Sequence, residues 1–153
     1  MRSVTFCALI GLLLSSCGSD AYDLETPENP RNWVKYGIEP GGYNGVALVD
    51  FPVYFDSANV FPKNSKGDFY AVRTAKFDSN RYDDHIEGEF FAFCSSKEWV
   101  VQSRKLYKKD GTTEHLGSAG NKMDATVFYS PGFSNEPNAR LYRHLCDGET
   151  LGN

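Results

Sequence analysis

Four cysteine thiols are the side chains of this chain best suited to covalent chemistry, and the first two lie within an N-terminal pattern. Arg2 precedes an apolar run of eleven residues, 4–14, and two small serines separate this run from Cys17. A basic start, an apolar segment and small residues before a cleavage point are the parts of a secretory signal. The run is shorter than the about 20 apolar residues that span a bilayer. We therefore expect residues 1–16, with Cys7, to be removed as a signal peptide on export.

The tetrapeptide Leu14-Ser15-Ser16-Cys17 resembles the lipobox of bacterial lipoproteins, whose cysteine is acylated and becomes the first residue of the mature chain. The resemblance implies lipidation of Cys17 by acyl groups such as palmitate, and attachment to a membrane through this N-terminal lipid. Each buried CH₂ contributes about 0.8 kcal/mol, so at least two acyl chains are needed for stable anchoring. Gly18 stands where an Asp would resemble an inner-membrane retention signal. The outer membrane of a bacterial cell envelope is therefore the expected location.

The other two thiols, Cys94 and Cys146, remain after processing. Exported proteins fold in an oxidising compartment, which favours a disulfide between them. Such a bond would close a loop of roughly 52 residues and stabilise the fold by about 4 kcal/mol. The alternative is two buried, unpaired thiols.

Other residue types with catalytic or metal-binding potential occur without a recognisable arrangement. His85, His115 and His144 have none of the spacings of zinc sites, and the chain lacks the Gly-rich phosphate loops and the GxSxG nucleophile motif. Asp83-Asp84 falls in a polar loop, while Glu87 and Glu89 would share one strand face as a solvated row. We expect neither an enzyme nor a cofactor or metal.

One basic cluster interrupts an otherwise acidic chain, and its cations are Arg104, Lys105, Lys108 and Lys109. Such a cluster is suited to an anionic partner, for example a sulfated glycan or an acidic protein. The alternative is the solvated end of a hairpin. The formal net charge of −4 would become −5 once Arg2 is removed, which argues against nucleic-acid binding.

The elements that would position these residues form one domain, 32–153, behind an acidic, Pro-containing tether, 17–31. Alternating, β-branched and aromatic stretches predict mostly strands. The predicted strands are 32–38, 46–55, 69–77, 86–94, 99–107 and 125–129, with a hairpin through Asp110-Gly111 into 112–116.

A short C-terminal helix is predicted after the last strand. Leu141, Leu145 and Cys146 recur at helical spacing, Ser134 would cap the helix, and Pro137 would stand in its first turn. This helix would carry Cys146 towards the sheet and Cys94. The predicted class is α+β, a small antiparallel β-sheet with one short helix packed on it.

The order of several residues resembles the surface-adhesin protein E family over roughly residues 33–146. The residues that carry the resemblance are Trp33, Tyr54, Asp56, Cys94, Tyr107, Gly111 and Cys146. The segment 69–77 departs from the pattern because it lacks a tryptophan. The resemblance implies a small antiparallel sheet with a helix, presented on the bacterial surface and in some members binding host matrix or serum proteins.

Two functions from different classes follow. The first is an outer-membrane lipoprotein with a non-catalytic binding surface, an adhesin for host matrix or serum proteins. The second is a periplasmic inhibitor or immunity lipoprotein that blocks a lysozyme-like or toxin enzyme. Both would have a protein ligand, and abundant aromatic residues would supply exposed contacts in either case.

Overall fold

A computed structural model describes residues 29–40, 50–62, 69–77, 85–117 and 120–151. The predicted signal peptide, Cys17, Asp83-Asp84 and most of the tether lie outside these residues. The described elements are β1 (Trp33–Glu39), β2 (Phe51–Asp56), β3 (Phe61–Pro62), β4 (Phe69–Phe77), β5 (His85–Phe93), β6 (Glu98–Tyr107), β7 (Thr113–Gly117), β8 (Met123–Asp124), a 3-10 helix (Thr126–Tyr129) and α1 (Pro137–Asp147).

The strands form one antiparallel sheet in the described part of the chain. Its order is β1-β2-β4-β5-β6-β7, with β3 paired to β4 and β8 paired to β6. Most strands pair with the next strand in sequence, as short connections favour, whereas β2 pairs with β4 and β8 pairs with β6. With α1 packed on the sheet, the α+β class predicted from the sequence is confirmed.

The main core lies between α1 and one face of the sheet, here called the helix face. Side chains alternate between the two faces of a strand, so Phe55, Val72 and Phe90 meet the helix while their neighbours in sequence do not. Leu141 and Tyr142 of α1 are at most 1% exposed in this core. The opposite face carries a smaller aromatic cluster in which Phe69 packs against Phe91 and Phe93, with ring centroids 5.8 and 4.6 Å away.

Helix α1 begins later than the sequence predicts. Its N-cap is Glu136, without a side-chain cap hydrogen bond, so the expected capping by Ser134 is wrong. A turn places the Ser134 N–H on the Ser130 carbonyl instead, and the helix starts at Pro137, which has no N–H to satisfy. Gly148 ends the helix with φ 72°, a left-handed conformation that glycine adopts without strain.

The predicted last strand, 125–129, is a 3-10 helix. The Asp124 carboxylate accepts a hydrogen bond from the Thr126 N–H at 2.8 Å, and the Phe128 N–H donates to the Ala125 carbonyl at 3.0 Å. These local bonds turn the chain at a point where an apolar run alone favours a strand. The turn buries Phe128, which is 4% exposed, against Trp99 and Tyr142.

Candidate binding sites

The disulfide predicted between Cys94 and Cys146 is present. Cys94 directly follows β5 and Cys146 lies in the last turn of α1, with 5.4 Å between their Cα atoms. The Tyr142 hydroxyl donates to the Phe93 carbonyl at 3.3 Å beside this bond. Together these contacts tie the helix to the central strands of the sheet.

The basic cluster is divided by strand geometry. Arg104 lines a cleft on the helix face, while Lys105 is paired in register with Glu87 and His115 on the neighbouring strands. The Lys108 ammonium lies 2.9 Å from the Glu114 carboxylate, and Lys109 is exposed in the hairpin turn. Because consecutive residues of a strand point to opposite faces, the four cations do not form one patch. Their interaction with an anionic partner stays a prediction.

The cleft lies on the helix face, beside the N-terminal end of α1, and has a volume of about 380 Å³. Its floor includes Val53, Ile86, Gly88 and Val101 of the sheet, and Asn138 of α1 forms part of its wall. This volume falls at the small end of the range of about 300 to 1,000 Å³ that is typical of ligand sites. The cleft is therefore large enough for a small molecule or the end of a peptide.

Three charged side chains line the cleft, and two of them form an ion pair with each other. The Lys76 ammonium lies 2.6 Å from the Glu39 carboxylate, so these two charges offset each other. Arg104, which is exposed, makes no ion pair or hydrogen bond within the described ranges. The three charged side chains thus leave one net positive charge at the cleft.

Two aromatic side chains in the wall of the cleft, Trp99 and Tyr36, carry polar groups. The Trp99 indole N–H is buried and has no hydrogen-bond partner among the residues that the structure describes. Tyr36 is 3% exposed, and its burial raises the pKa of its phenol well above the ordinary value, an effect to which the Glu39 charge adds. Sequence reasoning did not single out either residue, because their shared wall depends on the pairing of distant strands.

A second feature is an exposed stretch, 127–133, which we call the apolar ridge for its side chains Val127, Tyr129 and Phe133. These side chains are 43, 48 and 53% exposed. The Tyr129 hydroxyl donates to the Asp147 carboxylate at 2.7 Å, and burial together with this bond raises the pKa of Tyr129. The aromatic-rich sequence predicted exposed aromatics without indicating which ones they would be.

Arg143 of α1 holds the backbone of the ridge. Its guanidinium donates to the Phe128 carbonyl at 2.7 Å and to the Ser134 carbonyl at 2.8 Å, and Nε donates to the Glu149 carboxylate at 2.8 Å. The two carbonyls lie near opposite ends of the stretch. The buried Phe128 and this clamp fix the ridge on the helix.

Each of the three histidines makes a ring contact or a hydrogen bond within the fold. His85 stacks on Tyr107 at 4.8 Å, with its Nε2 3.1 Å from the Glu87 carboxylate. His115 Nδ1 accepts from the Gly117 N–H at 3.2 Å, and His144 packs edge-on against Phe55. Within the described ranges, no group of three or more His, Cys, Asp or Glu side chains could hold a metal ion.

Glu87 is buried, so the expectation that it belongs to a solvated row on its strand is wrong. It is 8% exposed and pairs with Arg31, whose guanidinium also lies over the Trp33 ring at 5.5 Å. Asn29 also contacts the domain, because its N–H donates to the Asn59 side chain at 3.1 Å. The final residues of the predicted tether therefore lie against the sheet.

Comparison with protein-family models, curated sequences and solved structures finds no match for this chain. The described residues include no helix with the length and apolarity needed to cross a membrane.

Proposed function

We propose that this chain is a non-catalytic binding lipoprotein of the bacterial outer membrane, an adhesin that binds a host matrix or serum protein through the apolar ridge. The resemblance of Leu14-Ser15-Ser16-Cys17 to a lipobox supports the anchor, and the resemblance to the surface-adhesin protein E family supports the role. The observation that carries the proposal is the exposure of Val127, Tyr129 and Phe133 on a clamped segment.

Exposed aromatic side chains suit a protein partner. Tyrosine and phenylalanine are enriched in protein interfaces, where each brings a large contact area with few rotatable bonds. Burying half-exposed side chains of this kind removes apolar surface from water at about 25 cal/mol per Å². The ridge would therefore supply the central contacts of a small interface.

The rigidity of the ridge also favours binding. A segment that orders only on binding loses conformational entropy, whereas a segment already held in place does not. Arg143 bonds both ends of the ridge and Phe128 anchors it in the core. The ridge is thus preorganised for a partner.

A paired substitution tests the ridge. The variant Tyr129→Ser with Phe133→Ser removes two exposed aromatics and leaves Phe128 and Arg143 unchanged. We expect at least a tenfold loss of affinity for whichever of immobilised fibronectin, collagen or fibrinogen binds the full-length protein, measured by surface plasmon resonance. Leu116→Ser is the matched control, because Leu116 is 40% exposed on β7 and lies outside the ridge. Equal affinity of the double variant and the control would refute the role of the ridge.

Protease treatment of intact cells tests the location. An adhesin would be lost from intact cells, as measured by immunoblotting beside a permeabilised sample. Protection until the outer membrane is opened would instead favour the periplasmic inhibitor, whose target would be sought among lysozyme-like and toxin enzymes.

The variant with Lys105, Lys108 and Lys109 changed to Glu tests the basic cluster separately, and unchanged heparin binding would exclude it as an anion site.

A further inference from the structure

We infer that the cleft beside the N-terminal end of α1 binds a ligand with one carboxylate and an apolar body, held through Arg104. The site is separate from the apolar ridge, so the inference does not depend on the proposed function. The carboxylate could belong to a small organic acid or to the C-terminal residue of a peptide, and the experiment below distinguishes these sources.

The charges at the cleft are unequally paired. Glu39 already neutralises Lys76 across the cleft, while Arg104 has no partner within the described part of the chain. A guanidinium presents a planar fork of N–H donors that matches a carboxylate with two parallel hydrogen bonds. One uncompensated positive charge fits a ligand that carries a single negative charge.

Two further polar groups belong to side chains of the cleft wall. The buried Trp99 indole N–H lacks a partner among the described residues, and the Tyr36 hydroxyl belongs to a side chain that is 3% exposed. Both residues line the cleft. A buried donor without an acceptor is unfavourable, so a small displacement of the wall that lets a ligand oxygen accept from the indole N–H would be stabilising.

Helix α1 adds to the positive potential at the cleft. Asn138, the second residue of this helix of 11 residues, lines the cleft, so the N-terminal end of the helix lies at its wall. Backbone N–H groups and the helix dipole make this end electropositive, which adds to the field of Arg104.

The floor of the cleft suits an apolar ligand body. Val53, Ile86 and Val101 provide an apolar surface, and Gly88 keeps it open beneath Arg104. A Cβ at Gly88 would lie 3.2 Å from the Thr74 hydroxyl oxygen and 3.5 Å from Cγ of Arg104. A larger side chain at position 88 would therefore crowd this part of the floor and narrow the cleft.

The experiment uses the full-length oxidised protein in detergent and four probes. The chain has two tryptophans, so the variant Trp33→Phe makes Trp99 the only tryptophan reporter. The probes are 3-phenylpropionate, its neutral analogue 3-phenylpropan-1-ol, N-acetyl-Leu-Phe with a free carboxylate, and the amide of that peptide. Tryptophan fluorescence is titrated with each probe.

We expect at least one acid to bind and its neutral partner to bind at least about tenfold more weakly, because the neutral probe cannot form the charge-assisted hydrogen bonds with the guanidinium. Arg104→Gln should weaken binding of the acid to a similar extent. Lys35→Gln is the matched control, because it removes an exposed cation of β1 that does not line the cleft. Gly88→Val should weaken the acid and the neutral probe alike.

Equal binding of acid and neutral probe, equal binding to the Arg104→Gln and Lys35→Gln variants, or no fluorescence response to either acid would overturn the inference. Tighter binding of 3-phenylpropionate than of the peptide acid would indicate a small organic acid, and the reverse order a peptide C-terminus. Urea unfolding of each variant confirms that the protein is folded. The ridge variant should bind the acid normally, so failure of one proposal leaves the other standing.

Discussion

At the scale of single residues, Asp56 is a buried carboxylate that joins the start of the domain to the turn after β2. It is fully buried and accepts hydrogen bonds from the Asn32 N–H at 3.0 Å, the Ala58 N–H at 3.2 Å and the Asn59 side-chain amide at 2.8 Å. Asn59 in turn binds the backbone of Asn29. Asp56 thus fixes the point at which the chain enters the sheet.

Replacement of Asp56 by Ala would leave these donors without their acceptor. We expect Asp56→Ala to lower the free energy of unfolding by about 3 kcal/mol, because bonds to a charged group are strong and buried unsatisfied donors are unfavourable. Urea denaturation followed by circular dichroism measures the change. Asp50→Ala, at an exposed position, should change it by less than about 0.5 kcal/mol. Similar values for the two variants would contradict this role of Asp56.

Gly37 marks a close approach of the sheet to α1. A Cβ at this position would lie 2.9 Å from the Cβ and Cγ atoms and 3.1 Å from the Cα atom of Pro137, so the helix would have to shift. We expect Gly37→Ala to destabilise the fold by about 1 to 3 kcal/mol, the usual range for overpacking. The control is Gly132→Ala, where no atom lies within 4 Å. Thermal unfolding compares the two, and a neutral Gly37→Ala would show that the helix can yield.

Tyr142 should make the free energy of unfolding decrease at alkaline pH. Burial, and then the charge of Asp147, raise its pKa from 10.0 to about 12. The folded state thus retains a proton that the unfolded state releases, so this contribution to stability is present below about pH 10 and is lost as the pH rises towards 12. We expect Tyr142→Phe to be less stable near pH 8, through loss of the bond to the Phe93 carbonyl, but to lose less of its stability above pH 10.

Urea midpoints measured from pH 8 to pH 11.5 test this dependence. Burial raises the pKa of Tyr36 and Tyr129 as well, so a reduced alkaline decline should remain in the variant. Parallel curves for the wild type and the variant would rule out Tyr142 as a contributor.

At the scale of elements, the disulfide joins α1 to the strand that forms the middle of the sheet. We expect the double variant Cys94→Ala with Cys146→Ala to lose about 4 kcal/mol of stability, because an unfolded chain without the closed loop of 52 residues gains conformational entropy. Urea unfolding of the variant measures this loss. Wild-type protein treated with reductant should match the variant, whereas an unchanged midpoint after complete reduction would contradict the expectation.

The strands illustrate which elements a pattern can predict. Segment 69–77 matches β4 in both bounds, and β5 and β6 begin one residue before their predicted starts. Dense β-branched and aromatic residues favour strands, so these predictions rested on local composition alone. Segment 125–129 had a similar composition but became a 3-10 helix, since the Asp124 side chain and the packing of Phe128 on Trp99 outweigh local preference.

At the scale of the whole molecule, the proposed lipid anchor rests on Cys17. We expect Cys17→Ser to abolish acylation and to release the protein from the membrane fraction, since the anchor would be the acyl chains rather than the domain. Metabolic labelling with palmitate and cell fractionation measure both effects. Cys7→Ser is the matched control, because Cys7 would leave with the signal peptide. Label retained in the Cys17→Ser variant would refute the lipobox prediction.

The sequence alone determined the features that depend on local composition: the α+β class, the main strands, the hairpin turn and the short helix. It also indicated the disulfide, because the predicted export would leave two cysteines with few alternative partners, and the structure contains the bond. Strand, turn and helix preferences are set by residues close together in sequence, so they can be predicted without knowledge of the final packing.

Only the tertiary structure decided which side chains meet across the sheet. The cleft joins Tyr36 of β1, Lys76 of β4, Arg104 of β6 and Asn138 of α1, so its composition depends on strand order and register. Strand alternation likewise separates Arg104 from Lys105, although they are adjacent in sequence. Burial and pairing are properties of residues distant along the chain, and for this reason the candidate sites could be located only once the domain was folded.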